Sequence, residues 1–186
     1  MRIIAGKAGG RRLKAPPGRG TRPTTDRVRE ALFSRLESRL GGLQGVSVLD
    51  LFSGSGALGL EALSRGAADA VLVEKDRRCA ALIKQNARAL DLSPGARVLA
   101  MAVAPALDLL AREEARFGLV LADPPYDQDP GPTLERLALG DLLGPGAMIC
   151  LEHGKKQAAP QAPPGLEHIV SKTYGDSVLT LFRSCI

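Results

Sequence analysis

From residue 46 onward, short apolar β-branched runs alternate with segments whose apolar residues recur at helical spacing, and this alternation leaves few folds open. Runs at 46–51, 70–74, 97–101, 118–122 and 147–152 read as strands, and 56–65, 77–90, 105–114 and 133–139 read as helices between them. The punctuation agrees: Gly66 closes the first of these helices, Asp76 offers an N-cap to the second, and Pro105 suits the first turn of the third. A Pro-rich loop at 157–165 precedes two further runs, 169–174 and 178–183, which read as a hairpin through Gly175-Asp176. Five βα-like units and a closing hairpin predict an α/β fold with a Rossmann-like, doubly wound, mostly parallel sheet. With 186 residues, 45% of them apolar, the chain can bury a core without a disulfide or metal staple.

The N-terminal part reads differently. Segments 2–6 and 11–14 suggest a hairpin turning at Gly9-Gly10, and 15–23 is a Pro/Gly loop. Thr24-Thr25-Asp26 then offers caps to a helix with Val28, Leu32, Leu36 and Leu40 on one stripe, ended by Gly41-Gly42. The expected division is a basic arm and linker at 1–23 and one globular domain at 24–186. Charge follows that division. Residues 1–40 hold 11 Lys/Arg and 3 Asp/Glu, a balance of +8, whereas 41–186 hold 14 and 17, a balance of −3. Arg2, Lys7, Arg11, Arg12, Lys14, Arg19 and Arg22 precede any acid. Such an arm suits a polyanion, most simply nucleic acid. Phe33 is the one aromatic near it, so phosphate contact rather than base stacking is its expected work.

Several classes are disfavoured. Cys79, Cys150 and Cys185 form no C-x-x-C and are odd in number, which points to a reducing, intracellular setting. With two histidines, His153 and His168, and no paired cysteines, a His/Cys zinc site is close to excluded and no metal is expected. No apolar run approaches the roughly 18–20 residues of a membrane span, and MRIIAGKAGGRR lacks a signal-peptide core, so a soluble, cytoplasmic protein is expected.

Between the first strand and the next helix lies Asp50-Leu51-Phe52-Ser53-Gly54-Ser55-Gly56-Ala57-Leu58-Gly59, which contains G-x-G-x-x-G in its proper strand–helix setting. Glycines there let a ligand approach the backbone, or simply make a tight turn. Two acids sharpen the reading: Asp50 ends the first strand and Glu74 the second, both at the carboxyl edge where such sheets bind ligands. Glu74 is suited to accept from two ribose hydroxyls. Asp50 would repel a pyrophosphate but not a cationic or zwitterionic cofactor. After the fourth strand comes Asp123-Pro124-Pro125-Tyr126. Two prolines fix φ and remove two amide donors, leaving the Asp123 carboxylate and the Pro124 carbonyl as acceptors beside the flat face of Tyr126. Two acceptors and a stacking ring suit a planar base with an exocyclic amine, whose delocalised lone pair they would turn forward.

The series DLFSGSGALG, VEKD (73–76) and DPPY resembles class I S-adenosylmethionine-dependent methyltransferases that act on exocyclic amines. The opening MRIIAGKAGGRRL with RPTTDRVREALF (22–33) looks like the RsmD family of small-subunit rRNA guanine methyltransferases, and the likeness covers nearly the whole chain. The resemblance implies a seven-stranded sheet with the last strand antiparallel. It implies methyl transfer from S-adenosylmethionine to the 2-amino group of a guanine in 16S rRNA, with S-adenosylhomocysteine as product, by direct in-line transfer and without metal. By position, it assigns cofactor binding to Asp50, Phe52, Gly54, Ser55, Gly56, Gly59, Glu74 and Lys75. It assigns the target base, flipped into the site, to Asp123, Pro124, Pro125 and Tyr126. RNA contact is expected from Arg2, Lys7, Arg11, Arg12, Lys14, Arg22, Thr24, Thr25, Arg27 and Arg29, although the 22–29 group could instead order the site. The implied partner is 16S rRNA within the small ribosomal subunit, met by a monomer.

Two departures stand out. Ala8 replaces an aromatic that family members often carry, and 100–104 lacks the acid that many class I enzymes place after strand three to hold adenine. D/N-P-P-Y/F is shared with DNA adenine and cytosine amino-methyltransferases, so a DNA enzyme and a non-catalytic rRNA-binding assembly factor are the alternatives. A dinucleotide oxidoreductase fits the glycine loop but not DPPY.

Overall fold

The computed structural model describes residues 1–16, 26–125, 127–157 and 160–186. Among the described residues, five α-helices and seven strands follow in the expected alternation. They are α1 (Asp26–Leu40), β1 (Ser47–Leu51), α2 (Ala57–Ser64), β2 (Asp69–Val73), α3 (Arg77–Ala89), β3 (Ala96–Leu99), α4 (Val103–Arg112), β4 (Phe117–Ala122), α5 (Gly131–Leu139), β5 (Leu143–Gly154), β6 (Leu166–Tyr174) and β7 (Ser177–Ser184). The seven strands form one sheet in the order β3-β2-β1-β4-β5-β7-β6. Neighbours from β3 to β5 are parallel, and β7 runs antiparallel to both β5 and β6. The expected sheet, with its antiparallel last strand, is therefore present.

Strand residues are buried on both faces, as parallel sheets require. Val48, Leu72, Leu119, Leu121 and Leu181 face one layer, with Leu32, Phe33 and Leu36 of α1, Leu60 of α2 and Ile83 of α3. Leu49, Leu51, Val71, Val120 and Ile149 face the other, with Leu107 and Leu110 of α4 and Leu134 and Leu137 of α5. Asp76 caps α3 as expected, accepting from the amides of Arg78 (2.8 Å) and Cys79 (3.0 Å). Strand β5 begins at Leu143, before the expected 147. Gly146 there adopts φ +65 and lets the chain pass the Gly-Pro-Gly stretch without leaving the sheet. Among the described residues, no helix is long and apolar enough to cross a membrane.

The N-terminal segment packs on the helices beside it. Arg2 and Arg12 form an antiparallel bridge, with the Ile3 amide donating to the Arg11 carbonyl at 2.9 Å, so the hairpin exists in short form. Ile3, Ala8 and Leu13 are buried within the same core layer as α1 and α2. Glu61 of α2, fully buried, accepts from the amides of Ile4 (2.7 Å) and Ala5 (3.0 Å). Ser64 accepts from the Ala8 amide at 2.9 Å and donates to the Ala5 carbonyl at 2.5 Å. Gly6 sits so close to α2 that a Cβ would lie 1.8 Å from the Ser64 carbonyl oxygen. Residues 1–14 thus pack on α2 and α3; of the expected loop at 15–23, residues 17–23 lie outside the described residues.

Candidate active site

Strand order reverses between β1 and β4, and ligands of open α/β sheets bind in the crevice at that reversal, outside the carboxyl ends of the strands. Four adjacent parallel strands each bring an acid to this edge. Asp50 lies in β1, Glu74 just beyond β2, Asp123 just beyond β4, and Glu152 near the end of β5. Asp50, Glu74 and Glu152 are buried, while Asp123 is exposed at the mouth.

The glycine loop is shaped by left-handed residues: Phe52, Gly54 and Gly56 have φ of 61, 56 and 80. Phe52 is the strained one, since only glycine adopts this region freely. The loop closes on itself and on the sheet. The Gly56 amide donates to the Ser53 carbonyl (2.7 Å), and the Ser53 amide to the Val73 carbonyl (3.0 Å). Gly59 packs where no side chain fits: a Cβ would lie 2.8 Å from Leu72 and 3.0 Å from Oδ2 of Asp50. Its amide donates to that same Oδ2 at 2.9 Å. Oε2 of Glu74 accepts from the Gly54 amide (2.9 Å) and Oε1 from the Asp76 amide (2.8 Å). Each carboxylate oxygen has a second lone pair, so Glu74 is held in place and still able to accept.

Electrostatics follow from this crowding. Burial pushes the Asp50 carboxyl up to about 7, against the pull of the Gly59 and Ser53 hydrogen bonds, with the charge of Glu74 adding to the rise. Asp123 is likewise held above the usual carboxylate range, first by desolvation and then by the charges of Glu152 and Asp50. Because Asp123 is exposed, water in the cleft tempers that effect. Gathered acids with raised pKa values favour a cation in the crevice and disfavour a phosphate.

The structure brings Asp50, Gly54, Gly59, Glu74 and Asp123 to one edge. Pro124 is buried and Pro125 exposed, with the Gln128 amide donating to the Pro125 carbonyl at 2.9 Å. Tyr126 lies outside the described residues, as do Arg22, Thr24 and Thr25. The Ser55 hydroxyl points to the Met1 sulfur at 3.7 Å. Lys75, Lys7, Arg12, Lys14 and Arg27 are exposed. Arg2 and Arg11 are exposed but paired, with Asp26 and Asp91, both at 2.8 Å. Arg29 lies inward, in line with the ordering alternative for the 22–29 group. It is 1% exposed, and one of its nitrogens donates to the Arg2 carbonyl (2.6 Å) and to Asp26 (2.8 Å), so it orders the N-terminal hairpin against α1.

Sequence reasoning misses two residues of this region. Glu152 ends an apolar strand, the same signal that marks Asp50 and Glu74, and could have been found by it. Asn86 of α3 is buried and joins three segments. Its Oδ1 accepts from the Lys14 amide, and its Nδ2 donates to the carbonyls of Lys14 and Ser55, all at 3.0 Å. It thereby ties the N-terminal hairpin to the glycine loop. Nothing in the sequence separates it from an ordinary polar helix residue.

The chain matches, over residues 1–183, the family described as Conserved hypothetical protein 95. It is 36% identical to the Ribosomal RNA small subunit methyltransferase D of Escherichia coli K12, over 98% of this chain and 89% of that one. The chain belongs to the RsmD family. The Haemophilus influenzae family member, also named Ribosomal RNA small subunit methyltransferase D, is 36% identical over 83% of this chain and 79% of its own. Among solved structures, the RsmD-like fold is shared with a hypothetical protein of Thermus thermophilus. That match is 38% identical, with a TM-score of 0.82, covering 97% of this chain and 98% of the other.

Proposed function

We propose that this RsmD-family protein transfers a methyl group from S-adenosylmethionine to the exocyclic 2-amino group of a guanine in 16S rRNA. The carrying observation is the row of carboxylates on four adjacent strand ends beside the glycine loop, with Asp123-Pro124-Pro125 at the mouth. Relatives named as small-subunit rRNA methyltransferases support the substrate class.

The fit to the cofactor rests on the chain's own chemistry. Asp50 and its neighbours offer a cation a negative crevice, and a Cβ on Gly54 would meet nothing closer than 4.0 Å, so the loop backbone there is open to a ligand. Asp50, Gly54, Ser55, Gly56 and Gly59 would surround the methionine part, Glu74 the ribose, with Phe52 and Lys75 flanking. When bound, S-adenosylmethionine supplies an electrophilic methyl on a sulfonium sulfur. Asp123 and the Pro124 carbonyl accept from the guanine amine and turn its lone pair forward; Tyr126 stacks on the base. The amine sheds its proton readily after alkylation, so Asp123 acts by orientation and charge rather than as a strong base. The basic residues of the N-terminal segment hold RNA phosphates. The protein would act as a monomer in the cytoplasm on small ribosomal subunits.

The test is incorporation of labelled methyl from S-adenosylmethionine into small subunits lacking base methylation, compared with duplex DNA. Label in 16S rRNA alone is expected; label in DNA alone would overturn the assignment.

A further inference from the structure

A broad groove lies away from the acidic edge. It is an open trough of about 740 Å³ between α1 and strands β5 and β7, lined by Arg35, Arg39 and Arg183 with Ser34, Ser38 and Met148. The sequence dictates its shape. Leu32, Phe33 and Leu36 turn one side of α1 to the core, so Ala31, Ser34, Arg35 and Ser38, at spacings of three and four, fall on a neighbouring stripe. The small residues keep that stripe low, and Arg35 and Arg39 flank it one turn apart, about 6 Å along the axis. Arg183 faces them from β7, register partner of Met148. None of the three arginines takes part in an ion pair among the described residues. The acid nearest them on the sheet is Glu167, the register partner of Arg183.

The trough also has a direction. Arg35 also borders a small, mostly apolar crevice of about 10 Å³ with Val170, Lys172, Tyr174 and Leu179. Tyr174 pairs with Ser177, which pairs with Gly154 at the carboxyl end of β5. Arg35 and Lys172 thus stand between Arg39 and Arg183, beside the amino ends of the parallel strands, and the edge that carries Asp123. From Leu119, in register with Met148, to Asp123 is four residues of strand, about 13 Å.

We propose that this trough is a phosphate-binding track that holds the RNA backbone of the substrate on the α1–β7 side, while the target base enters the acidic edge. Guanidinium groups recognise phosphate oxygens in forked pairs, and the serine hydroxyls add donors to the same backbone. The inference rests on the RNA reading of the preceding section but assigns residues outside the N-terminal hairpin.

The test compares two variants of equal charge change, Arg39→Gln/Arg183→Gln in the track and Arg112→Gln/Arg116→Gln on the opposite layer. Binding to unmodified 16S rRNA transcript is measured by filter retention across salt concentrations, with S-adenosylhomocysteine binding as the fold control. The track variant is expected to lose about tenfold in RNA affinity and about one and a half in the slope of log K against log salt, since each phosphate contact contributes about 0.7–0.9. The opposite-layer variant is expected to change less than about twofold. Equal losses in the two variants, or none in either, would overturn the track. Methyl transfer by the wild type is read separately. Transfer to rRNA with a silent track variant sinks the track alone, whereas a track effect without any transfer sinks the methylation reading alone.

Discussion

Replacing Asn86 probes how the N-terminal hairpin is coupled to the glycine loop. Asn86→Ala removes three hydrogen bonds of 3.0 Å and strands the Ser55 carbonyl in a buried setting and the Lys14 amide and carbonyl in a half-buried one. At about 1 kcal/mol net for each bond, the loss is about 3 kcal/mol. For a chain of this size that lowers Tm by roughly 6–12 °C. Asn86→Asp is the sharper variant. It keeps the shape and the acceptor facing Lys14, but it sets an oxygen against two carbonyl oxygens. That costs at least as much as alanine at pH 8. The introduced carboxyl would have a pKa raised in the folded state, so its penalty grows as pH rises through that range and shrinks in acid. Thermal unfolding at about pH 5 and pH 8, with S-adenosylhomocysteine titration alongside, reads both effects. An Asn86→Asp protein as stable as wild type at pH 8 would refute the assigned amide orientation and the coupling built on it.

Other perturbations test neighbouring links. Gly6→Ala places a methyl against the backbone of Ser64, where no side chain can yield; a loss of about 3 kcal/mol is expected, with faster hydrogen exchange in residues 1–14, and unchanged exchange would contradict the docking. Asp123→Ala is expected to cut turnover by about 100-fold or more with cofactor affinity preserved, and parallel loss of both would contradict its role at the base. Asp50, pushed up to about 7, must be ionised to favour a sulfonium. S-adenosylmethionine should therefore bind more tightly as pH rises from about 6 to 8, and more steeply than S-adenosylhomocysteine; a constant ratio of the two dissociation constants across that range would count against it.

The sheet was legible because its signals are local. Apolar runs end in Asp50, Glu74 and Asp123, and Gly54, Gly56 and Gly59 punctuate a strand-to-helix turn. The docking of the N-terminus was not. Ile3, Ala8 and Leu13 recur every five residues, a spacing that belongs to neither helix nor strand, so they left no periodic signal. Glu61 and Ser64 look like solvent-facing positions of α2 until the backbone of residues 4–8 is laid against them. Asn86 and Arg29 share that history, as polar residues buried by partners distant in sequence. The early start of β5 was hidden by Gly144-Pro145-Gly146, which reads as a breaker but lies within the strand.

The most direct test of the central claim is the identity of the modified nucleoside. Small subunits lacking base methylation are incubated with the protein and S-adenosylmethionine, and the rRNA is digested for mass spectrometry. N2-methylguanosine, absent from a reaction with the Asp123→Ala variant, is the result the acidic edge and the Asp123 loop predict. A methylated adenosine or cytidine, or no new methylated nucleoside while S-adenosylhomocysteine still binds, would contradict it.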